Sequence, residues 1–291
     1  MVKVSAIMSC YKSEPWFLER TIKSILNQTY KDFEFLIRSD GVDFDLPKFL
    51  EKFNDSRIKF LEDDKHRGNS GAHNFLIEKA QGDYIALIDH DDEHFPNHFE
   101  LFVKLLDDNP DLFTVSGITI NDELGLAPKK IIGSAMSPKE VSQKLLFYQP
   151  IRNPTVLMRR SIINKYNLRF DTNIAQACDY DFWARCRKFK HLITNDLVVK
   201  YYRHPGSDSS NVQKVKINHR LIVKRNLQQI GINASDKLVE LISPYKCVPV
   251  PNQVNQYVQE MISFKGLFLK EISEYYFNEK LDKLRRKARG F

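Results

Sequence analysis

Cysteine is scarce in this sequence of 291 residues, and no two cysteines have the C-x-x-C spacing of a metal-binding or redox pair. The chain contains only four: Cys10, Cys178, Cys186 and Cys247. Long apolar runs are also missing, because no stretch approaches the ~20 residues that cross a bilayer. The short apolar run Val2–Met8 is more typical of a first strand than of a signal peptide. These absences disfavour a zinc site, a disulfide framework and export, and they predict a reduced, cytoplasmic protein.

Glycine is missing where a nucleotide-binding loop would need it. The first predicted strand is followed by "SCYKSEP" (residues 9–15), which contains no glycine. This excludes both the G-x-G-x-x-G dinucleotide fingerprint and the G-x-x-x-x-G-K-[ST] phosphate loop at this point. A nucleotide would have to be held in another way. A divalent cation between carboxylates and a pyrophosphate is one such way.

The composition is that of a globular protein with an excess of positive charge. Hydrophobic residues make up 42% of the chain and aromatic residues 12%, which excludes a disordered chain. The length fits one large domain, or one domain with an appendage. The formal net charge of +7 favours an anionic partner. A nucleic acid would require a wider basic face or an aromatic platform, so no nucleic-acid partner is predicted.

Strand-like and helix-like segments alternate through the first 120 residues, which predicts an α/β fold with a mostly parallel, Rossmann-like sheet and helices on both faces. The predicted strands are Val2–Met8, Phe33–Arg38, Ile58–Leu61, Tyr84–Ile88 and Phe113–Ile120. The predicted helices are Phe17–Asn27, Leu46–Phe53, Gly71–Ala80 and Asn97–Asp108. Ligands of such sheets lie beyond the carboxyl ends of the strands, where Ser9–Tyr11, Ser39–Asp40 and the acids after Ile88 converge.

The second half does not show this regular alternation of strands and helices. It contains a predicted helix at Pro138–Phe147, a strand at Thr155–Met158, a helix from about Asp179 and a strand at Leu192–Tyr202. The loop-like "HPGSDSSN" (204–211) then precedes a helical segment. We predict a catalytic domain at 1–211, with halves at about 1–120 and 121–211, and a helical C-terminal extension at 212–291.

Four acids crowd the end of one apolar run in "GDYIALIDHDDEHF" (82–95). Asp89 and Asp91 flank a single residue, so on an extended backbone they lie on the same side. Mg²⁺ or Mn²⁺ prefers such oxygen ligands and would relieve the repulsion between the carboxylates. The alternative is an acidic turn in which Asp92 or a neighbour caps the helix that opens near Pro96.

The chain resembles the family 2 glycosyltransferases of the GT-A fold over roughly residues 2–210. The motifs are "VSAIMSCYKSEPWFLERTIKSILNQTYKDFEFLIRSDG", "NSGAHNFLIEKAQGDYIALIDHDDEHFPNHFEL", "NPTVLMRRSII", "CDYDFWARC" and "YYRHPGSDSS", in the family's order. The resemblance implies a metal-dependent, inverting transfer from a nucleotide-diphosphate sugar, with UDP the expected nucleotide. The implied acceptor is a saccharide or lipid-linked saccharide, in the synthesis of cell-surface polysaccharide or lipopolysaccharide.

The resemblance also assigns roles to individual residues. The implied donor-nucleotide residues are Ser9, Tyr11, Asp40, Arg67, Asp89 and Arg203, and the implied ligands of Mn²⁺ or Mg²⁺ are Asp91, Asp89 and His204. The sequence departs from the family where Arg38-Ser39 precedes Asp40, where His73 replaces an arginine, and where Cys178 replaces a glutamate. Considered alone, most of these residues also fit ordinary turns, half-buried rims or solvated loops.

Two acids in "CDYDFW" compete for the role of catalytic base, the residue that takes a proton from the acceptor. At a helix start, residues two apart point about 200° apart, so Asp179 and Asp181 cannot share one role. Asp179 matches the family's base. Asp181 precedes two aromatic core residues and is expected to cap the helix or face away from the crevice.

The C-terminal segment "EKLDKLRRKARGF" combines Leu281, Leu284 and Phe291 with six basic residues between Lys280 and Arg289. Basic amphipathic helices bind anionic membrane surfaces, so the tail predicts peripheral binding at the inner face of the cell membrane. The alternative is a solvated helix end whose basic residues favour the helix dipole.

Two other functions compete with glycosyl transfer. A sugar-phosphate nucleotidyltransferase can use a related sheet with metal-binding acids, but it would normally place a glycine-rich loop after the first strand. A non-catalytic carbohydrate- or cation-binding module would keep the acids as structural residues.

Overall fold

The computed structural model describes residues 2–63, 65–124, 129–204, 212–244 and 254–288. The strands within these ranges are β1 (Val4–Cys10), β2 (Phe33–Ser39), β3 (Ile58–Phe60), β4 (Tyr84–Ile88), β5 (Glu93–His94), β6 (Leu112–Asp122), β7 (Lys130–Ile132), β8 (Leu157–Arg159) and β9 (Lys190–Tyr202). The helices are α1 (Pro15–Leu26), α2 (Leu46–Glu51), α3 (Gly68–Lys79), α4 (His98–Asp108), α5 (Pro138–Leu145), α6 (Arg160–Lys165), α7 (Cys178–Arg185), α8 (Val212–Gln229), α9 (Asp236–Ile242), α10 (Val254–Ser263), α11 (Lys265–Glu271) and α12 (Glu274–Ala288).

The strands form one sheet in the order β3-β2-β1-β4-β8-β6-β9-β5, and β7 pairs with β6. Strands β1 to β4 are parallel to one another, and β6 is parallel to β9. Strand β8 lies between the two parallel groups and pairs antiparallel with both β4 and β6. The carboxyl ends of β1, β2 and β4 therefore lie along one edge of the sheet, as predicted.

Side chains of alternate residues on the central strands enter two separate cores. Val4, Ala6 and Met8 of β1 pack with helices α1, α2 and α4 on one face of the sheet. Ile7 of the same strand and Leu87 of β4 pack on the opposite face, with α3, α5 and α7. The predicted α/β sheet with helices on both faces is confirmed.

One short prediction in the second half is right in kind but wrong in its bounds. The sequence predicts a strand at Thr155–Met158, whereas Asn153–Thr155 is a 3-10 helix and β8 begins only at Leu157. Pro154 favours this helical turn, since its ring fixes φ near the helical value and it has no N–H to donate to a strand.

The C-terminal helices share the second core with the sheet-forming part of the chain. Val223 and Leu227 of α8, Phe268 of α11 and Leu284 of α12 belong to the same buried cluster as Trp183 of α7. The predicted boundary at 211 remains a prediction, and the helices that follow it are packed against the rest of the protein.

This packing corrects the prediction for the C-terminal tail. Leu281 and Leu284 are buried, with 7% and 1% of their surface exposed. Lys280 is buried as well, with its Nζ 4.6 Å from the ring centroid of Phe147. The apolar face of α12 is thus used within the protein and cannot also enter a membrane. Residues 289–291 of the predicted tail lie outside the described residues.

Asp181 joins α7 to α8. Its side chain is fully buried, and its carboxylate accepts hydrogen bonds from Arg185 Nε at 2.8 Å and from Arg225 Nη1. The expectation that Asp181 caps α7 is wrong, because the N-cap residue is Ala177, in the left-handed conformation with φ of 58°. Asp181 instead forms ion pairs with two guanidinium groups, one from each helix.

We expect Asp181→Asn to lower the free energy of unfolding by about 2–4 kcal/mol, more than the ~1 kcal/mol of a lost cap. An amide cannot neutralise the two arginines that remain. Urea unfolding of both proteins measures the change. The matched control is Asp108→Asn, which removes an exposed pair with Lys104 and should cost less than about 1 kcal/mol. Equal midpoints for parent and Asp181→Asn would show that the buried pair contributes nothing.

Candidate active site

The loops that follow β1 and β2 are joined by two backbone hydrogen bonds. Asp40 N donates to Cys10 O at 2.7 Å, and Lys12 N donates to Gly41 O at 2.8 Å. Gly41 has φ of +119°, and a Cβ atom there would lie 3.4 Å from the ring of Tyr11. Because a side chain is strained at this φ, glycine lets the two loops pack closely. Tyr11 and Asp40 are thereby brought side by side.

The carboxylate of Asp40 is held in one orientation by three neighbours. Its Oδ1 accepts hydrogen bonds from Arg38 Nη1 at 2.7 Å and from Arg67 N at 2.8 Å, and its Oδ2 lies 3.3 Å from His66 Nδ1. Arg38 is fully buried and also lies 3.3 Å from Asp63 Oδ2. Asp40 is 4% exposed, so the carboxylate is a fixed acceptor at the end of β2 rather than a mobile turn residue.

Two predicted donor-binding residues differ in how they present their side chains. The ring of Tyr11 is 43% exposed, and its centroid lies 5.5 Å from that of His66, so an aromatic surface is open beside Asp40. The guanidinium of Arg67 forms an ion pair with Asp63, and Arg67 reaches Asp40 through its backbone N–H. Ser9 is partly exposed and pairs with Arg38 in the β1–β2 ladder.

Helix α1 fixes the acidic loop that follows β4. Thr21 Oγ1 donates a hydrogen bond to Asp92 O at 2.6 Å and also lies 3.1 Å from His90 O. Arg20 Nη2 donates to Asp91 O at 2.7 Å. Three successive carbonyl groups are therefore contacted by two neighbouring side chains of one helix. The backbone of the loop is held in place, and the carboxylates project from a fixed frame.

Asp91 and His204 meet at this edge, although 113 residues separate them in the sequence. His204 Nε2 lies 2.8 Å from Asp91 Oδ2, and each side chain keeps about a sixth of its surface exposed, at 16% and 17%. The ring of Phe17 packs against His204 with centroids 4.6 Å apart. Two of the three predicted metal ligands are in direct contact, and Asp89, the third, lies at the start of the same loop.

Asp92 links the acidic loop to β9. Its side chain is fully buried, and Oδ1 accepts a hydrogen bond from Tyr202 N at 3.0 Å, which ties the loop to β9. Burial, and then the negative charges of Asp91 and Asp89, raise the pKa of this carboxyl group well above its usual range. The alternative in which it caps the next helix is wrong, because α4 begins after Asn97 without a side-chain cap.

The donor set fits a hard divalent cation that takes most of its ligands from a substrate. Within the part of the chain that the structure describes, no three His, Cys, Asp or Glu side chains are grouped to hold a metal ion. Asp91 and His204 supply one oxygen and one nitrogen donor. Mg²⁺ sites of phosphate-binding enzymes commonly use only one or two carboxylates, with phosphate and water completing the shell. The negative charge that raises the pKa of Asp92 would also be relieved by a cation.

Arg203 pairs through its side chain with Glu123 rather than with Asp91. Its side chain is 57% exposed and its Nη1 lies 3.5 Å from Glu123 Oε1, while its backbone N donates to Asp122 O at 3.0 Å. The contact between Arg203 and the donor diphosphate stays a prediction. The rest of the predicted closing loop, 205–211, lies outside the described residues.

Asp179 is the second residue of α7 and is partly exposed. Its Oδ1 accepts a hydrogen bond from Tyr180 N at 2.8 Å, and its side chain also hydrogen-bonds with that of Gln149. Burial raises the pKa of Asp179, and these hydrogen bonds and the nearby His73 oppose the increase. A carboxylate with a raised pKa is a stronger base near neutral pH.

Helix α3 links the Asp40 region to the Asp179 region. The helix begins directly after Arg67, whose N–H binds Asp40. Farther along, Asn74 exchanges two hydrogen bonds with the backbone of Phe170, at 2.8 and 2.9 Å, and His73 packs against the Phe170 ring. The segment that leads into α7 is thus anchored to the helix that starts beside Asp40.

Sequence reasoning missed the roles of Arg38, His66 and Arg152. Arg152 precedes the 3-10 helix that runs beside the end of β4, and burial lowers the pKa of its guanidinium. Across the described ranges, no carboxylate forms an ion pair with it. Its signal in the sequence was a basic residue directly before "NPTV". Arg38 stood out only as a departure from the family pattern, and its burial was not expected because a charged residue inside a strand usually points to solvent.

Comparisons with known proteins agree on one family. The family model "Glycosyl transferase family 2" matches residues 5–192. An Escherichia coli UDP-Glc:alpha-D-GlcNAc-diphosphoundecaprenol beta-1,3-glucosyltransferase is 29% identical over 243 residues, covering 82% of this chain and 91% of the relative.

Two solved structures have the same fold. S. aureus TarS, in complex with UDP-GlcNAc, has a TM-score of 0.65 at 13% identity, with 99% of this chain and 90% of TarS covered. A mannosyltransferase from Pyrobaculum calidifontis, in complex with GDP-Man and Mn²⁺, has a TM-score of 0.57 at 12% identity, with coverage of 98% and 86%. The predicted GT-A-like fold is confirmed.

Proposed function

Because the chain belongs to glycosyl transferase family 2, we propose that it moves a sugar from a UDP-sugar to a lipid-linked saccharide, with inversion at the anomeric carbon. The E. coli relative is named for UDP-glucose and a diphosphoundecaprenol-linked acceptor, and TarS binds UDP-GlcNAc, which supports this donor and acceptor class. Such acceptors belong to polysaccharide or lipopolysaccharide synthesis. Because the chain belongs to this family, the nucleotidyltransferase and binding-module alternatives are excluded.

The donor nucleotide would lie at the ends of β1 and β2. The exposed ring of Tyr11 offers a face on which the base can stack, and the fixed carboxylate of Asp40 can accept hydrogen bonds from base or ribose. Asp91, Asp89 and His204 would hold Mn²⁺ or Mg²⁺. When bound, the cation supplies charge neutralisation for the departing diphosphate.

Asp179 would act as the catalytic base. Its carboxylate takes the proton of the acceptor hydroxyl while that oxygen attacks the anomeric carbon from the side opposite the leaving group. The bond between the anomeric carbon and the diphosphate oxygen breaks, and its electron pair leaves with UDP. A single displacement of this kind inverts the anomeric carbon and needs no covalent intermediate.

One observation carries the proposal. The Asp91–His204 contact unites the end of β4 with the end of β9, at the sheet edge that also carries Asp40. Residues distant in the sequence thus meet where parallel sheets bind ligands, which supports a cation and nucleotide site there.

A thermal-shift screen of nucleotide sugars tests the donor. We expect a UDP-sugar at about 100 times its dissociation constant, with Mn²⁺, to raise the unfolding midpoint by about 5 °C or more. GDP-mannose should act weakly, and EDTA should remove most of the increase. Tyr11→Ala should reduce the shift, whereas Tyr166→Ala, which alters an exposed tyrosine elsewhere, should not. If only guanosine or cytidine nucleotide sugars raise the midpoint, the donor assignment is wrong.

We further propose that the enzyme works at an anionic membrane surface. Within the described residues, no helix is both long and apolar enough to cross a bilayer. Residues 212–291 contain 15 Lys and Arg against 7 Asp and Glu, whereas residues 1–211 contain 29 against 30. The net positive charge therefore resides in the C-terminal part, and anionic lipid would attract that part first.

A further inference from the structure

Helix α8 exposes two aliphatic side chains on one face. Ile217 is 57% exposed and Leu221 is 61% exposed, and residues four apart are neighbours on a helix surface. On the opposite face, Ile222 and Val223 are buried in the core. The helix therefore has an apolar face for the protein and a smaller apolar face outside it. We call the residues Ile217 and Leu221 the α8 outer face.

The outer face lies on a helix that packs directly beside the proposed base. Asn218 Nδ2 donates to Gln176 O at 3.0 Å, and the ring of His219 stacks on that of Tyr180 with centroids 4.4 Å apart. Gln176 and Tyr180 flank Asp179 in the sequence. The outer face is on the other side of α8 from His219, so a partner docked there is separated from the helix of Asp179 by α8 alone.

The charge around the outer face indicates its partner. Lys214 and Lys216 precede the exposed pair, and Lys224, which pairs with Asp236, follows it. The whole segment 212–291 has a net charge of +8. Two copies of this face would bring their lysines together, and such like-charge contacts are unfavourable. An anionic bilayer offers both an apolar boundary for the aliphatic side chains and phosphate groups for the lysines.

We infer that the α8 outer face docks on anionic membrane lipid, with Ile217 and Leu221 entering the headgroup–acyl boundary. The inference rests on the proposed function, since it explains how a lipid-linked acceptor meets Asp179. It also replaces the C-terminal tail as the contact surface, because the leucines of α12 are buried. The docked protein would hold α7 behind α8, one helix away from the plane in which the acceptor's lipid is anchored.

Co-sedimentation with vesicles tests this face. The vesicles contain equal parts phosphatidylglycerol and phosphatidylcholine, and pure phosphatidylcholine vesicles serve as the neutral comparison. We expect the parent to bind the anionic vesicles, and Ile217→Ser/Leu221→Ser to bind about tenfold more weakly or worse. Binding of the parent should also weaken as salt rises. The matched control is Ile131→Ser, at a 58% exposed position on β7, which should bind like the parent.

Two further measurements separate the outcomes. Transfer to a soluble saccharide acceptor should be equal in parent and double variant, whereas transfer to a lipid-linked acceptor in vesicles should fall only in the double variant. Equal vesicle binding of both proteins overturns the inference. Light scattering gives a second test. If the parent is a dimer and the double variant is a monomer, the face binds a second copy of the chain and the inference is overturned. If the parent transfers sugar to no acceptor, the proposed function is contradicted but the membrane contact is not. Vesicle binding then still tests the role of the α8 outer face.

Discussion

Asp179→Asn is expected to reduce glycosyl transfer by roughly 100-fold or more, while donor affinity stays near that of the parent. Asparagine has nearly the same shape as aspartate and can keep the hydrogen bond from Tyr180 N, but it cannot accept the acceptor's proton. The loss should therefore appear in turnover. Steady-state kinetics with a saturating UDP-sugar, together with direct titration of the donor, measures the two effects separately.

Stability should respond in the opposite way from activity. Because burial raises the folded-state pKa of this acid, the folded protein binds the proton more tightly than the unfolded chain. Stability from this group is thus present at low pH and is lost as pH rises through the folded pKa. At neutral pH the folded parent carries a partly buried, ionised Asp179, which lowers its stability. Asparagine is neutral and avoids this loss, so the unfolding midpoint of Asp179→Asn should equal or exceed that of the parent.

The pH profile of turnover gives an independent check. A base must be deprotonated to act, so turnover should rise with pH through the raised pKa of Asp179. Gln149→Leu should move this acid limb to higher pH, because the hydrogen bond from Gln149 favours the charged form.

Asp181→Asn provides the contrasting control. It should lower stability but preserve transfer per folded molecule, since Asp181 faces Arg185 and Arg225. Near-parental transfer by Asp179→Asn, or an acid limb that does not move in Gln149→Leu, would contradict the assignment of the base.

Asp91→Asn is expected to reduce transfer by about 1,000-fold, the scale of several kcal/mol that a metal ion contributes to a developing charge. Thorough chelation should do the same to the parent, and added Mn²⁺ should restore the parent but not the variant. A readout besides activity is the thermal shift caused by UDP, whose dependence on Mn²⁺ should disappear in Asp91→Asn.

Glu123→Gln is the matched control, because Glu123 is a partly exposed acid that contacts Arg203 rather than His204. It should keep both the transfer rate and the Mn²⁺ dependence of the parent. His204→Gln should show an intermediate loss, since it removes one donor atom and keeps the carboxylate of Asp91. Parent activity that survives chelation unchanged would exclude the cation from the reaction.

Much of the fold was readable from the sequence because its signals are local. The apolar run Tyr84–Ile88 predicts a strand that is covered on both faces, and all five of its residues are buried. Alternation of strands and helices then predicts a parallel sheet, whose carboxyl ends share one edge. That geometry alone places Asp40 and the acids after β4 at the same crevice, and the prediction needed no knowledge of which side chains touch.

Other features depended on partners that are far away in the sequence, and only the tertiary structure could choose them. Asp181 at the start of a helix looks like a cap, but α8 places Arg225 against it, 44 residues later. Leu284 in a basic helix looks like a membrane-facing residue, but the core that includes Phe268 covers it. A local pattern shows that a side chain is acidic or apolar. Whether that side chain meets solvent, lipid or another helix depends on where the rest of the chain packs.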